Sequence, residues 1–385
     1  MKFYTLKLYI KIQFTTSLLA VFCTFGCGIA RGEQNQFSPS SETVTLADVM
    51  TAQKTLQKIV LRTPLVREQA LSQLTGGEIY LKLENLQLTG SFKIRGAFNK
   101  MASLSQSRRA RGVVTASAGN HAQGVALAAE RFKIKATIVM PETVPTIKLE
   151  ATRRYGPTVL LYGKNFDEAL AKAREIESTT GATFIHPFDD PLTIAGQGTI
   201  GMEIMQDLPD ADLILVPVGG GGLLSGIIVA VKGIHAATGV IGVEPAHAPS
   251  MEESLRRNKP TTVTVTPTLA DGTAVARPGL LPFDIIKRQL DGLITVSEEE
   301  ISAAVRLLLL KDKVLTEGAG ALGAAALLSG KIDVKGKKVV VILSGGNIDE
   351  ARLVSLLMTD AGSDQKKRPA GEQESTHMIT PKTKQ

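Results

Sequence analysis

Six short apolar runs constrain this chain most: Val113–Thr115, Ala136–Met140, Thr158–Tyr162, Leu213–Val218, Val240–Glu244 and Val339–Leu343. They show little polar alternation, so each reads as a strand buried on both faces. Helical segments fall between them, such as 121–131 (HAQGVALAAER), 166–178 (FDEALAKAREIES) and 298–310 (EEEISAAVRLLLL). Buried strands each followed by a helix predict an α/β protein with mainly parallel sheets flanked by helices. Ligands in such folds bind at the carboxyl ends of the strands. At 385 residues the chain exceeds one small core, and about 150 residues per domain suggests two.

The ends differ from the middle. Lys2, Lys7 and Lys11 precede an apolar stretch, Phe14 to Ala30, and Gly28-Ile29-Ala30 suits a small-x-small cleavage site. Residues 1–30 therefore read as a signal peptide or as an extension without export. The protein is expected in the cytoplasm under the second reading and exported under the first. Residues 31–42 read as a polar linker, and 361–385 as a charged, disordered tail. The mature body shows no stretch suited to a stable membrane span. No cysteine follows Cys27, so neither disulfides nor a cysteine metal site can hold the body together. The net charge of +7 raises nucleic acid as a partner. The basic residues are dispersed and not interleaved with aromatics, so none is expected.

Four segments could carry chemistry. In Gly90-Ser91-Phe92-Lys93-Ile94-Arg95-Gly96-Ala97, a helix starting near Ser91 puts Lys93 on one face with Ala97, Met101 and Leu104. Such a face would desolvate the ammonium, and complete burial lowers a lysine's pKa by up to about 3–5 pH units. A neutral amine in a dry pocket suits a Schiff-base lysine, although an isolated lysine there would ordinarily snorkel. Ser117-Ala118-Gly119-Asn120-His121 follows a strand and opens a helix, which leaves amides free to cradle a carboxylate. A plain N-cap by Ser117 or Asn120 explains that segment equally well. Gly219 to Gly222, then Leu223, join a strand to an apolar helix and could wrap a phosphate. A dinucleotide fingerprint is the rival, with Glu244 at the end of the next strand, but Ser225 stands where its third glycine belongs. Last, Ser344 ends a strand before Gly345 and Gly346, where a hydroxyl can meet a ring nitrogen.

Taken together, the chain resembles the fold-type II (tryptophan synthase β-like) pyridoxal-phosphate enzymes, nearest the threonine dehydratase and serine racemase branch. The likeness runs from about Leu46 to Met358, through LKLENLQLTGSFKIRGAFNK, TASAGNHAQG, VPVGGGGLLSG, LADGTAVARPG, TEGAGALGAAALLSG and LSGGNID. It implies pyridoxal 5'-phosphate held by Lys93 as the Schiff-base lysine beside Phe92. It further implies Asn120 at the ring hydroxyl, Gly219 to Leu223 around the phosphate, Ser344 at the pyridine nitrogen and the acid Glu317 nearby. Ser117, Asn120 and His121 would face the substrate carboxylate. The implied reaction is removal of water from L-threonine or L-serine, with an aminoacrylate hydrolysing to 2-oxobutyrate or pyruvate plus ammonia. A serine at the pyridine nitrogen leaves it unprotonated, which favours elimination over transamination.

Departures from the neighbouring families sharpen the expectation. Ile94 stands where threonine synthases tend to have aspartate, and SAGNHAQG replaces the SSGNTG of cysteine synthases. Ala118 stands where serine racemases carry their second acid–base serine, so racemisation should be poor. The branch's cation site would match Glu244 and Ala248, but Ser250 replaces its aspartate, and a hydroxyl is a weaker ligand for a hard cation. Only a short polar tail follows Met358, where biosynthetic relatives have a regulatory domain. The expected layout is a large domain of 43–111 and 188–360 with a small domain, 112–187, inserted; the resemblance also implies a homodimer or homotetramer. A serine racemase or another lyase of this fold is the alternative. Further off lie a nicotinamide oxidoreductase, with no chromophore before cofactor is added, and a non-catalytic binding protein, with cofactor but no keto acid.

Overall fold

The computed structural model describes residues 43–358. The expectations for residues 1–42 and 361–385 lie outside them. Ten strands form two sheets: β1 Leu65–Glu68, β2 Glu78–Lys82, β3 Val113–Ala116, β4 Ala136–Met140, β5 Thr158–Leu161, β6 Thr183–Phe184, β7 Leu213–Pro217, β8 Gly239–Pro245, β9 Gly292–Val296 and β10 Lys338–Ile342. The larger sheet runs β1-β2-β10-β7-β8-β9, and only the β1–β2 pair is antiparallel. The smaller runs β5-β4-β3-β6 and is wholly parallel. Its strands lie between β2 and β7 in sequence, within the stretch expected to be inserted.

Side-chain alternation divides each inner strand between two cores. Val340 and Ile342 of β10 join Ile214 and Val216 of β7 under the helices Pro191–Asp207 and Gly222–Ile234. Val339 and Val341 join Leu213 and Leu215 under Gly318–Leu328 and Glu298–Leu310. Both faces are thus dry, which is why these strands read as unbroken apolar runs. In the smaller sheet Val114 and Val139 pack toward the helix Phe166–Thr180, whereas Ile138 and Met140 pack toward Asn120–Phe132.

The helix Lys93–Ala102 lies against both Asn120–Phe132 and Pro191–Asp207. Ile94, Ala97, Phe98, Met101 and Leu104 sink into one core. Two residues beyond Lys93, Arg95 is fully buried. Its guanidinium donates to both carboxylate oxygens of Glu84 at 2.8 Å and to Glu203 at 2.7 and 3.0 Å. Lys82 donates to Glu203 at 2.6 Å and to the Thr63 carbonyl at 2.7 Å. Two cations and two carboxylates thus neutralise one another inside the protein. They fix the start of this helix to β2, to the turn Glu84–Leu86 and to Pro191–Asp207.

Candidate active site

A cleft opens beside the carboxyl ends of β7 and β10. It brings together Phe92, Lys93, Asn120, Glu317 and Ser344 with the loop from Gly219 to Leu223. Distant segments meet there: β10 inserts between β2 and β7, and Asn120, which follows β3, bonds Asn347 227 positions later. The Phe92 amide donates to the Ser344 carbonyl at 3.1 Å, which ties the start of the lysine helix to the end of β10.

Lys93 is the first residue of its helix, two residues later than the expected start near Ser91. Ala97, Met101 and Leu104 are buried as expected, but Lys93 stays out of their core. Its Nζ donates to the Pro187 carbonyl at 3.1 Å and lies 5.1 Å from the Phe92 ring centre. Burial pulls its pKa down to about 8, against an opposing pull from the Glu317 carboxylate. Glu317 accepts from Asn120 Nδ2 at 2.7 Å, and Asn347 Nδ2 donates to Asn120 Oδ1 at 2.7 Å. Burial raises Glu317 to about 7, with Asp271 adding to the rise. An acid and an amine that both titrate near neutrality, in one dry cleft, are suited to moving protons.

The glycine loop has the form of an anion cradle. The amides of Gly219 through Leu223 donate to no acceptor among the described residues, and the helix Gly222–Ile234 starts there. Gly221 holds φ at +91°, a conformation that other residues rarely adopt. A Cβ on Gly220 would lie 2.4 Å from the Phe188 ring, so that ring backs the loop directly. Free amides at a helix N-terminus, an amine that deprotonates near pH 8 and an unbonded Ser344 hydroxyl fit a phosphorylated pyridine aldehyde.

Ser117 and His121 do not line this cleft. Ser117 Oγ accepts from the amides of Gly119 and Ala122 and so caps the helix. His121 is buried, donating from Nε2 to the Ile185 carbonyl at 2.9 Å. Burial, together with the Lys93 charge, holds its pKa down to about 3, so it is neutral at neutral pH. Glu244 accepts the amides of Met251 and Glu252 at 2.8 and 2.9 Å, and burial lifts its pKa to about 8. The Ser250 hydroxyl beside it is buried without a partner among the described residues. No group of three or more histidine, cysteine or acidic side chains is arranged for a metal among the described residues.

Sequence reasoning missed Phe188, Thr273 and Val275, which also line the cleft. Phe188 lies in HPFDD, after a strand of only two residues. Thr273 and Val275 lie in LADGTAVARPG, a segment that carries the family resemblance but had no role assigned within it. Among the described residues no helix is long and apolar enough to cross a membrane.

The profile of the pyridoxal-phosphate dependent enzyme family matches residues 56–345. The L-threonine ammonia-lyase of Thermotoga maritima is 58% identical over 306 residues, covering 80% of this chain and 76% of that protein. The processed form of threonine deaminase isoform 2 from Solanum lycopersicum superposes with a TM-score of 0.77 at 42% identity, covering 81% of this chain and 91% of the other. Maize serine racemase superposes with a TM-score of 0.79 at 32% identity, covering 84% and 100%. The chain therefore belongs to the pyridoxal-phosphate dependent enzymes, of the fold-type II architecture.

Proposed function

We propose that this enzyme deaminates L-threonine to 2-oxobutyrate and ammonia, and L-serine to pyruvate and ammonia, with Lys93 as the reacting amine. The observation that carries this reading is the Lys93 amine. It is half-buried, bonds a carbonyl and no carboxylate among the described residues, and shares its cleft with the unbonded amides of the glycine loop. Similarity to proteins named for threonine ammonia-lyase and threonine deaminase supports the substrate. Ala118 disfavours racemisation, because a methyl group cannot carry a proton on the face opposite Lys93.

When bound, the cofactor withdraws electrons from the substrate α-carbon. Lys93, neutral above about pH 8, takes the α-proton at Nζ. Pro187 O keeps that amine oriented by accepting its hydrogen bond. The unbonded amides of Gly219 to Leu223 would hold the phosphate, and the Ser344 hydroxyl would stand by the pyridine nitrogen as a neutral partner. Asn120, fixed between Glu317 and Asn347, keeps one N–H for the ring hydroxyl. In this reading Ser117 contributes to the substrate carboxylate site through the turn that it caps. His121 fixes the turn from behind, through Ile185 O. Lobes 112–187 and 43–111 with 188–360 act as small and large domains whose closure shields the product from early hydrolysis. Two or four copies assemble. Glu244 and Ala248 match two positions of the branch's cation site, and Ser250 in the third place disfavours a hard cation there.

The test is keto-acid release from L-threonine and L-serine by the purified enzyme, with Lys93→Ala in parallel. Release that vanishes in the variant supports the reading, and the substrate ratio sets the preference. A cofactor-loaded enzyme that releases no keto acid would overturn it and favour racemase or another lyase chemistry.

A further inference from the structure

The segment 186–190 (HPFDD) leaves β6 and enters the helix Pro191–Asp207, and it touches more of the cleft than its length suggests. Pro187 O accepts the Lys93 amine at 3.1 Å. The Phe188 ring backs Gly220, and the Asp189 carboxylate caps the helix Leu280–Gln289 through the amides of Leu280 and Leu281 at 3.0 Å. One side chain closes this turn. His186 Nδ1 accepts the amides of Phe188 at 3.3 Å and Asp189 at 2.8 Å, and its ring meets the Phe188 ring edge-on at 4.8 Å. Accepting two N–H groups requires a bare Nδ1, hence a neutral ring with its proton on Nε2. Burial keeps it neutral down to about pH 4, amid Asp189, Asp190, Arg174 and Lys93.

We propose that His186 is a positioning residue: through the Pro187–Asp189 turn it sets both the carbonyl on which the Lys93 amine rests and the ring behind the glycine loop. This rests on the reading of Lys93 as the reacting amine. An imidazole that served only to fill space would not need its Nδ1 aimed at two amides. Displacing Pro187 O would free Nζ, and an ångström of misplacement at a reacting atom is enough to cost up to about a hundredfold in rate.

His186→Asn and His186→Gln separate the roles, because asparagine places its oxygen where Nδ1 lies and glutamine places it farther out. His186→Leu is a second variant without the acceptor, should glutamine impair folding. Two quantities are read from each folded variant. The first is the acylation rate of Lys93 in cofactor-free protein, located by peptide mass. The second is kcat and KM of the loaded enzyme on L-threonine. His186→Asn should match the parent within about twofold in both. His186→Gln should expose Lys93 to acylation at least about threefold faster and lower kcat about tenfold, with KM within about twofold. Acylation and kcat at the parental level in His186→Gln or His186→Leu would overturn the proposal, as would failure of His186→Asn to rescue. Full activity in Lys93→Ala would instead sink the reading of Lys93, and the acylation contrast would still report on His186.

Discussion

Lys82 and Lys93 stand eleven positions apart, the first fully buried and the second half-buried at the wall of the cleft, and the protein treats them in opposite ways. Lys82 meets the Glu203 carboxylate at 2.6 Å and a carbonyl at 2.7 Å, inside a network that Arg95 and Glu84 complete. Among the described residues Lys93 donates to a carbonyl oxygen, 3.1 Å away, and to no carboxylate, and its pKa falls to about 8. The difference is the countercharge. A buried ammonium with its own carboxylate is a structural cation, whereas one with a neutral acceptor gives up its proton and becomes a nucleophile. The two also cooperate, since the neutral quartet anchors the helix that carries the reactive amine.

Breaking the first half of this comparison should have the largest effect. Glu203→Ala leaves Lys82 and Arg95 short of one negative charge inside the protein. Removing one member of a buried ion pair costs about 3–5 kcal/mol, and urea unfolding of the variant should show a loss of that order. The second half predicts a gain. In cofactor-free protein the folded pKa of Lys93, about 8, lies below its unfolded value of 10.5. The unfolded chain therefore holds more protons between these values, and stability rises with pH across that window. Below pH 8 the fold bears the full cost of a desolvated ammonium. Lys93→Met should therefore unfold at higher urea at pH 7, by up to about 3 kcal/mol, and the advantage should disappear above pH 10.5. An advantage independent of pH would show that the methionine stabilises by packing alone.

Two smaller effects sharpen the picture of the cleft. Gly220→Ala would place a methyl group 2.4 Å from the Phe188 ring, so either the ring or the loop must shift. Pyridoxal phosphate affinity, followed by absorbance on reconstitution, should fall about tenfold or more, in line with the few kcal/mol that overpacking costs. Unchanged affinity would mean that the loop amides hold nothing. Glu317→Gln removes the carboxylate that raises the Lys93 pKa, so Lys93 should titrate below the parental value. Acylation of that lysine across a pH series measures the shift directly.

How much of this was legible in the sequence follows from what each residue needs. The inner strands β3, β4, β7, β8 and β10, and the exposed-edge strand β5, stood out as apolar runs. β1 and β9 escaped because edge strands expose much of their surface, and β6 is only two residues long. β2 escaped because Glu78, Tyr80 and Lys82 look like an outward polar face. The partner that lets Lys82 be buried, Glu203, is 121 residues away. Lys93 and the glycine loop were visible because their chemistry lies in contiguous residues. Phe188 was not, since only the folded chain brings its ring against Gly220. The same holds for His121, whose hydrogen bond to Ile185 O depends on where β6 ends.

The most direct test of the contrast between the two lysines is the pH dependence of amine acylation in cofactor-free protein, with Lys82 and Lys93 read separately as peptides. Lys93 should react with a half-point near pH 8, while the fully buried Lys82 stays out of the reagent's reach as long as the protein is folded. A Lys93 half-point at or above about 10, the ordinary value for a solvated lysine, would contradict that contrast.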